Sequence, residues 1–142
     1  MSEFSITSPD FEEGGEIPKK FGYKFENIQP QISFNNVPDT HKSTALIMDD
    51  PDAMAAVGKV WVHWLTYHDV TDPNSKIEGK TDFDEIGYGG PAPPDGRHTY
   101  IFKGYALDTS LNLTEGYSKQ ELEDAMKGHI IAEAKLTGTF AP

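Results

Sequence analysis

The chain has no cysteine, which excludes thiol catalysis, a disulfide framework and cysteine-ligated zinc, and is compatible with a reducing compartment. Basic residues are scarce: 12 Lys plus Arg stand against 23 Asp plus Glu, giving a formal charge of −11 with no Lys/Arg cluster. Nucleic acid and anionic membrane surfaces are repelled by such a field. A single phosphate or carboxylate held by a local pocket stays compatible with it, because nearby groups outweigh screened distant ones. Long apolar runs are missing as well. No segment reaches membrane-spanning length, and the start, Met1-Ser2-Glu3-Phe4-Ser5-Ile6, has no basic region of the signal-peptide kind. The composition points to a cytoplasmic protein forming one domain over residues 1–142, long enough to bury a core without disulfides or a structural metal.

What the chain does have is strand-like sequence. The segments Phe21 to Phe25, Gln31 to Phe34, Ser43 to Met48, Val60 to His68, Thr99 to Leu107 and Ala134 to Phe140 are rich in β-branched and aromatic residues. Clusters of Pro, Gly, Asn or Asp separate them, so a mainly antiparallel β architecture is expected. Ser118-Lys119-Gln120-Glu121 reads as a capping box, followed by Leu122, Ala125, Met126, His129 and Ile130 at helical spacing. This predicts a helix from about Lys119 to Ala132, weakened at Gly128. In the last strand Ala134, Leu136, Gly138 and Phe140 share one side and Lys135, Thr137 and Thr139 the other. The stretch from Asp69 to Glu85, with its Pro, Asn, Gly and charges, reads as a mobile loop.

Two stretches carry candidate chemistry. Asp50 and Asp52 flank Pro51 at the end of the apolar run Ala45-Leu46-Ile47-Met48, and an extended backbone would point both carboxylates to one side of the sheet's rim. Ordinary Asp-Pro turn chemistry explains the same pair. His63, inside Val60-Trp61-Val62-His63-Trp64-Leu65, belongs to a strand apolar on both faces, and a buried imidazole must find partners for its nitrogens. It either bonds to backbone or pairs with a carboxylate and offers its other nitrogen to a ligand. Between Gly87 and Gly96 lie four glycines and three prolines. The strand after them puts His98 and Tyr100 on one face. A stiff loop offering backbone N–H groups beside an imidazole and a phenol is an oxyanion cradle in outline; a tight surface turn is the plainer alternative.

Other chemistries fit poorly. An EF-hand starting at Asp50 would need Gly and Glu where Ala55 and Trp61 stand. Walker A, Gly-x-Ser-x-Gly and His-Glu-x-x-His sequences are absent. No metal-ligand spacing and no cofactor motif is recognised, and His41, His68 and His129 lack patterned partners.

Asp50-Pro51-Asp52-Ala53, Trp61-Val62-His63-Trp64 and Tyr88-Gly89-Gly90-Pro91 leading to His98-Thr99-Tyr100 together resemble the phosphatidylethanolamine-binding protein family, in its short bacterial and archaeal Raf-kinase-inhibitor-like branch. Tyr105-Ala106-Leu107-Asp108, the segment 125–132 and Leu136-Thr137-Gly138-Thr139-Phe140 extend the likeness over nearly the whole chain. The resemblance implies antiparallel sheets packed together, short peripheral helices and an anion pocket at one end. Asp50 and His63 would line that pocket with Asp52 behind them; Gly90 and Pro91 would shape its rim, and His98 and Tyr100 would complete it. Both histidines and the phenol would donate hydrogen bonds to the ligand.

The implied function is a non-catalytic binding or regulatory protein for a small anionic or zwitterionic phosphate-bearing ligand, such as a phospholipid headgroup or phosphorylated group, or for a carboxylate. Inhibition of a kinase or protease and a homodimer belong to the same family picture. The alternatives are a hydrolase using an Asp/His pair on water, and a serine protease inhibitor acting through surface loops. Three departures from the family pattern stand out. Met54 replaces a proline, and Ala55-Ala56-Val57-Gly58-Lys59 lacks the charged insert of eukaryotic relatives. Arg97 lies on the other side of His98 from the usual arginine, which places it on the opposite strand face. The sequence ends at Pro142, with no carboxyl-terminal helix to cover the pocket, so a more open site is expected.

Overall fold

The computed structural model describes residues 3–142, apart from the side chains of residues 73–75. Six strands form the main sheet: β2 (Gly15–Glu16), β8 (Ile130–Phe140), β7 (His98–Leu107), β4 (Ser43–Asp50), β5 (Trp61–Asp69) and β6 (Asp72–Glu78), in that spatial order. Neighbours are antiparallel except β2 and β8, which run parallel. Strands β1 (Ser5–Thr7) and β3 (Ser33–Asn35) pair separately, and two helices, α1 (Ala53–Val57) and α2 (Lys119–Met126), complete the fold. The mainly β expectation is met.

Strand β4 is central and apolar on both sides, so its alternate residues feed two cores. Leu46 and Met48 pack with Trp64, Tyr100, Phe102 and Phe140 beneath Ile6, Phe11, Ile17 and Phe21 of the amino-terminal segment. Ala45 and Ile47 pack with Leu65, Tyr67 and Leu107 beneath Leu122 and Met126 of α2. Because β5 and β7 both run against β4, the end of β4 meets the starts of both neighbours at one edge of the sheet.

Three expected elements differ. The segment Phe21 to Phe25 is a 3-10 turn at Lys19–Phe21 followed by further turns, closed by Gly22 N–H donating to the Lys19 carbonyl at 2.9 Å and Phe25 N–H to the Gly22 carbonyl at 3.1 Å. Its apolar residues divide: Phe21 is buried and plugs the core, while Phe25 is exposed. The capping box at Ser118 and Glu121 forms as expected, but α2 stops at Met126. Gly128 adopts φ +84°, and Ile130 is already paired with Leu107 in β8. Sheet pairing overrides the helical periodicity there. The segment expected to be a mobile loop instead contains β6, an edge strand on β5, where a proline is tolerated.

Candidate functional site

The meeting point of β4, β5 and β7 holds the titratable residues. Asp50 ends β4, His63 lies near the start of β5 and His98 begins β7. Between β4 and β5 the register slips, with Met48 opposite Trp64 but Asp49 opposite Val62, so His63 is the extra residue of a β-bulge. Strict alternation would send His63 to the face opposite Trp64. The bulge instead leaves it edge-on to Tyr100, with ring centroids 5.2 Å apart, on the side of the sheet that Trp64 and Tyr100 share. Val62 remains on the α2 side.

Asp50, His63 and His98 converge on a cavity of about 170 Å³, and its remaining wall is apolar: Ala53, Ala56, Val57, Trp61, Phe83, Ala92 and Pro94. A larger groove of about 590 Å³ between segment 29–34 and Thr44, Leu46, Trp64, Thr66, His68 and Lys76 contains none of these three residues.

The two imidazoles are held differently. His63 is 2% exposed and its Nδ1 lies 2.7 Å from the Gly89 carbonyl. A carbonyl only accepts, so Nδ1 carries the proton. Burial lowers the pKa of this ring, against smaller upward pushes from the Gly89 carbonyl and the Asp50 charge, and keeps it neutral. Its Nε2 is then an acceptor. The expectation that His63 donates to a ligand is corrected by the tautomer its backbone partner imposes. His98 places Nδ1 2.7 Å from Asp50 Oδ2 and Nε2 2.8 Å from Asp95 Oδ1. Both partners only accept, so both nitrogens carry protons and the ring is an imidazolium. Burial pushes its pKa down, but the hydrogen bonds and charges of Asp50 and Asp95 outweigh burial and raise it.

Tyr100 is fully buried, and its hydroxyl has no hydrogen-bond partner among the described residues. Burial, reinforced by the Asp50 charge, raises the pKa of the phenol and keeps its proton in place. Its ring lies close to both histidines, 6.4 Å between centroids in the case of His98.

The other anticipated residues have supporting positions. The backbone does not stay extended at Asp52: it turns into α1 with φ −71° and ψ −15°, and Asp52 N–H donates to Asp50 Oδ1 at 2.9 Å. The exposed Asp52 carboxylate instead accepts Thr99 N–H at 2.8 Å, tying the turn to β7. Gly90 and Pro91 face the amino-terminal segment. Gly90 N–H donates to Asn27 Oδ1 at 2.8 Å, and Tyr23 N–H to the Pro91 carbonyl at 2.9 Å. A Cβ on Gly90 would lie 1.9 Å from the Phe21 carbonyl oxygen, so the close approach that requires glycine is to protein backbone. Gly89 N–H is spent on the His63 carbonyl at 2.8 Å. The amides of Gly89 and Gly90 therefore do not form the anticipated cradle. Arg97 precedes β7 and pairs with Glu16, away from His98's partners; positions 97 and 99 are two apart and would share a strand face, so this placement does not come from the strand alternation.

Phe83, Val57 and Asp95 were not anticipated. Asp95 lies in the loop between Gly87 and Gly96, and its place three residues before His98 was the available signal. Phe83, which stacks on Tyr23 at 3.9 Å, lay in the segment read as a loop. No group of three or more His, Asp or Glu side chains among the described residues is arranged to hold a metal ion. Asp50, His98 and Asp95 satisfy one another through hydrogen bonds.

A six-stranded sheet with buried carboxylate and imidazoles at one end, under an apolar rim, defines the class to which the sequence motifs pointed. The family model described as phosphatidylethanolamine-binding protein matches residues 7–141, and the chain belongs to that family. A UPF0098 protein of Methanothermobacter thermautotrophicus is 41% identical, over 92% of this chain and 93% of its own length. Among solved structures, a phosphatidylethanolamine-binding protein homologue from Chlamydia trachomatis superposes with TM-score 0.86 at 37% identity, covering 98% of this chain and 97% of that one. YbcL of E. coli, described as a new member of the mammalian phosphatidylethanolamine-binding protein family, gives TM-score 0.85 at 26% identity and covers 98% of each chain. Family membership makes this a binding-type protein in general terms. No helix among the described residues is long and apolar enough to cross a membrane.

Proposed function

We propose that the chain is a non-catalytic binding protein whose pocket takes a phosphate-like group that still carries a proton, or a comparable anion with a donor attached. The observation that carries this reading is the unlike pair of imidazoles on one cavity: neutral His63 with Nε2 as an acceptor, and doubly protonated His98 as a donor. A phosphate monoanion offers both complements, an O–H for His63 and a charged oxygen for His98. A zwitterionic headgroup offers the same pair through its ammonium and phosphate. The apolar wall suits a ligand whose charged end is attached to an apolar body.

Calorimetry with phenyl phosphate and phenyl sulfate tests this. The sulfate ester matches the phosphate in shape but has no proton to give His63, so it binds more weakly to the parent. Equal affinity would remove the acceptor role from His63, and no binding of either ester would remove the anion site. Inhibition of a kinase or protease remains a role this pocket could serve by capturing a phosphorylated group. The Asp50–His98 pair favours a second reading, a hydrolase with His98 as general base. Against it, a proton already occupies the His98 nitrogen distal to Asp50, held by Asp95.

A further inference from the structure

We propose that Asp95 is a tethered competitor for the ligand, occupying the hydrogen-bonding position on His98 Nε2 that an incoming anion needs and so raising the intrinsic affinity an anion must have to be held. This rests on the anion-site reading above. The geometry is specific. The Asp95 carboxylate is 61% exposed, yet one of its oxygens reaches inward to a ring that is 6% exposed. Among the described residues His98 is its only hydrogen-bond partner, because the neighbouring cation, Arg97, is turned toward Glu16 and Thr139.

An imidazolium nitrogen has one N–H to give. Asp50 holds the Nδ1 proton from inside the sheet, where both groups are buried. A ligand oxygen therefore reaches His98 only at Nε2, and only when Asp95 leaves. The exchange conserves charge: one carboxylate departs into water from an exposed turn, and one anion replaces it on the same imidazolium. Displacing an internal anion thus adds no net charge to the site, whereas adding a ligand beside it would bring three anionic groups around one cation.

A threshold follows from the tether. A carboxylate linked to the ring through three residues acts at an effective concentration of roughly millimolar or above. Free monocarboxylates, chemically equivalent to Asp95, then compete against their own kind at a disadvantage. A phosphate monoanion faces the same competition from a higher intrinsic affinity, since it also gives a proton to His63 Nε2, a contact Asp95 does not make. The competition lowers every anion's affinity by the same factor, so the preference for phosphate rests with His63, and Asp95 removes the weak binders.

The test compares the parent with Asp95→Ala and Asp95→Asn, using calorimetry with phenyl phosphate and with benzoate at about 0.1 M and about 1 M salt, where the Debye length falls from roughly 10 to 3 Å. Phenyl phosphate should bind Asp95→Ala about ten-fold tighter than the parent, the gain expected where the competent state is populated about a tenth of the time. Benzoate should gain by the same factor. Asp95→Asn, with a neutral acceptor of the same shape, should fall between. The gain should persist at high salt, because it reflects a vacated contact. Nitrogen NMR of His98 should show a changed Nε2 environment in Asp95→Ala without ligand. Unchanged or weaker phenyl phosphate binding in both variants, with the parent binding normally, overturns the Asp95 assignment and leaves the pocket intact. A gain that disappears at about 1 M salt also overturns it, reducing Asp95 to a remote charge. If neither parent nor variants bind either probe, the anion-site reading itself fails and the assignment falls with it.

Discussion

The Asp50 carboxylate and the His98 imidazole meet at 2.7 Å with side chains only 4% and 6% exposed, joining the end of β4 to the start of β7 inside the sheet. Asp50 also accepts the Asp52 amide at 2.9 Å through its second oxygen, so both oxygens are used as acceptors. Asp50→Asn retains one acceptor oxygen and turns an N–H group toward a donor at the other. We expect a loss of roughly 1–3 kcal/mol of stability, the cost of an unsatisfied buried group. Denaturant unfolding at neutral pH measures it; a variant as stable as the parent would mean the pair is not a structural tie.

Removal of either imidazole should weaken phenyl phosphate binding. His63→Ala and His98→Ala each lose one contact to a charged group, roughly 1.5–3 kcal/mol. Calorimetry on both variants checks this, and binding like the parent in both would mean that the ligand sits elsewhere. The effects should also separate by ligand. His98→Ala should weaken phenyl sulfate and phenyl phosphate alike, whereas His63→Ala should weaken mainly the phosphate.

The sheet was legible because its central strands state their period plainly: Ala45 to Met48 is apolar on both faces, and Thr99 to Leu107 alternates. The same alternation placed His98 and Tyr100 on one face. What could not be read were effects of long-range pairing. The bulge that aims His63 exists only in the register between β4 and β5. The early end of α2 follows from β8 needing Ile130 beside Leu107. Gly90 is glycine because of the Phe21 carbonyl, 69 positions earlier in the chain. The tautomer of His63 likewise depends on which group its ring meets, and Gly89 lies 26 residues away.

Gly90→Ala should destabilise the fold while leaving the pocket's charged residues in place. Its new Cβ would lie 1.9 Å from the Phe21 carbonyl oxygen and 2.9 Å from the Tyr23 nitrogen, both backbone atoms that move only with their segment. Overpacking of this kind costs about 1–3 kcal/mol or more. Thermal unfolding should show a lowered midpoint. An unchanged midpoint would mean that segment 21–27 shifts freely and does not brace the loop.

No turnover is expected on common phosphoester, ester or peptide substrates. The pocket has two imidazoles with opposite roles but no activated nucleophile beside them, and binding without preferential transition-state stabilisation does not accelerate a reaction. Reproducible hydrolysis by the parent that disappears in Asp50→Asn would favour the hydrolase reading.

The two histidines should shape the pH dependence of stability in opposite directions. For His98, whose folded pKa is raised, the stabilisation is complete below the unfolded value of about 6.5 and is lost as pH rises through the folded pKa. For His63, whose folded pKa is lowered, it is present above about 6.5 and is lost as pH falls through the folded pKa. Replacing His63 with Gln should therefore flatten the acid side of the stability profile, and replacing His98 with Gln the alkaline side. Denaturation midpoints measured from about pH 5 to 9 decide it; identical profiles for the parent and both variants would mean that neither ring is shifted.

Ligand affinity should follow the charge on His98. Around that ring stand Asp50 from β4, Asp95 from its own loop, His63 from β5 and Tyr100 from β7, while Asp52 binds the adjoining Thr99 amide. His63 is neutral and the phenol keeps its proton, so the carboxylates set the balance against burial. Phenyl sulfate is the probe of choice, because it remains singly charged across the range and any pH dependence belongs to the protein. Its affinity should be highest where His98 is an imidazolium and should fall as pH rises past the bound-state pKa, when Nε2 becomes a lone pair facing the anion. Asp50→Asn removes one of the charges that hold the proton and should move this fall to lower pH, while Asp50→Glu, which retains the charge, should move it less. Binding measured alongside NMR titration of the His63 and His98 ring protons from about pH 5 to 9 provides the comparison. An affinity that stays flat while the His98 ring titrates would separate the imidazolium from ligand capture, and a ring that stays neutral down to about pH 5 would mean that Asp50 and Asp95 do not set its charge.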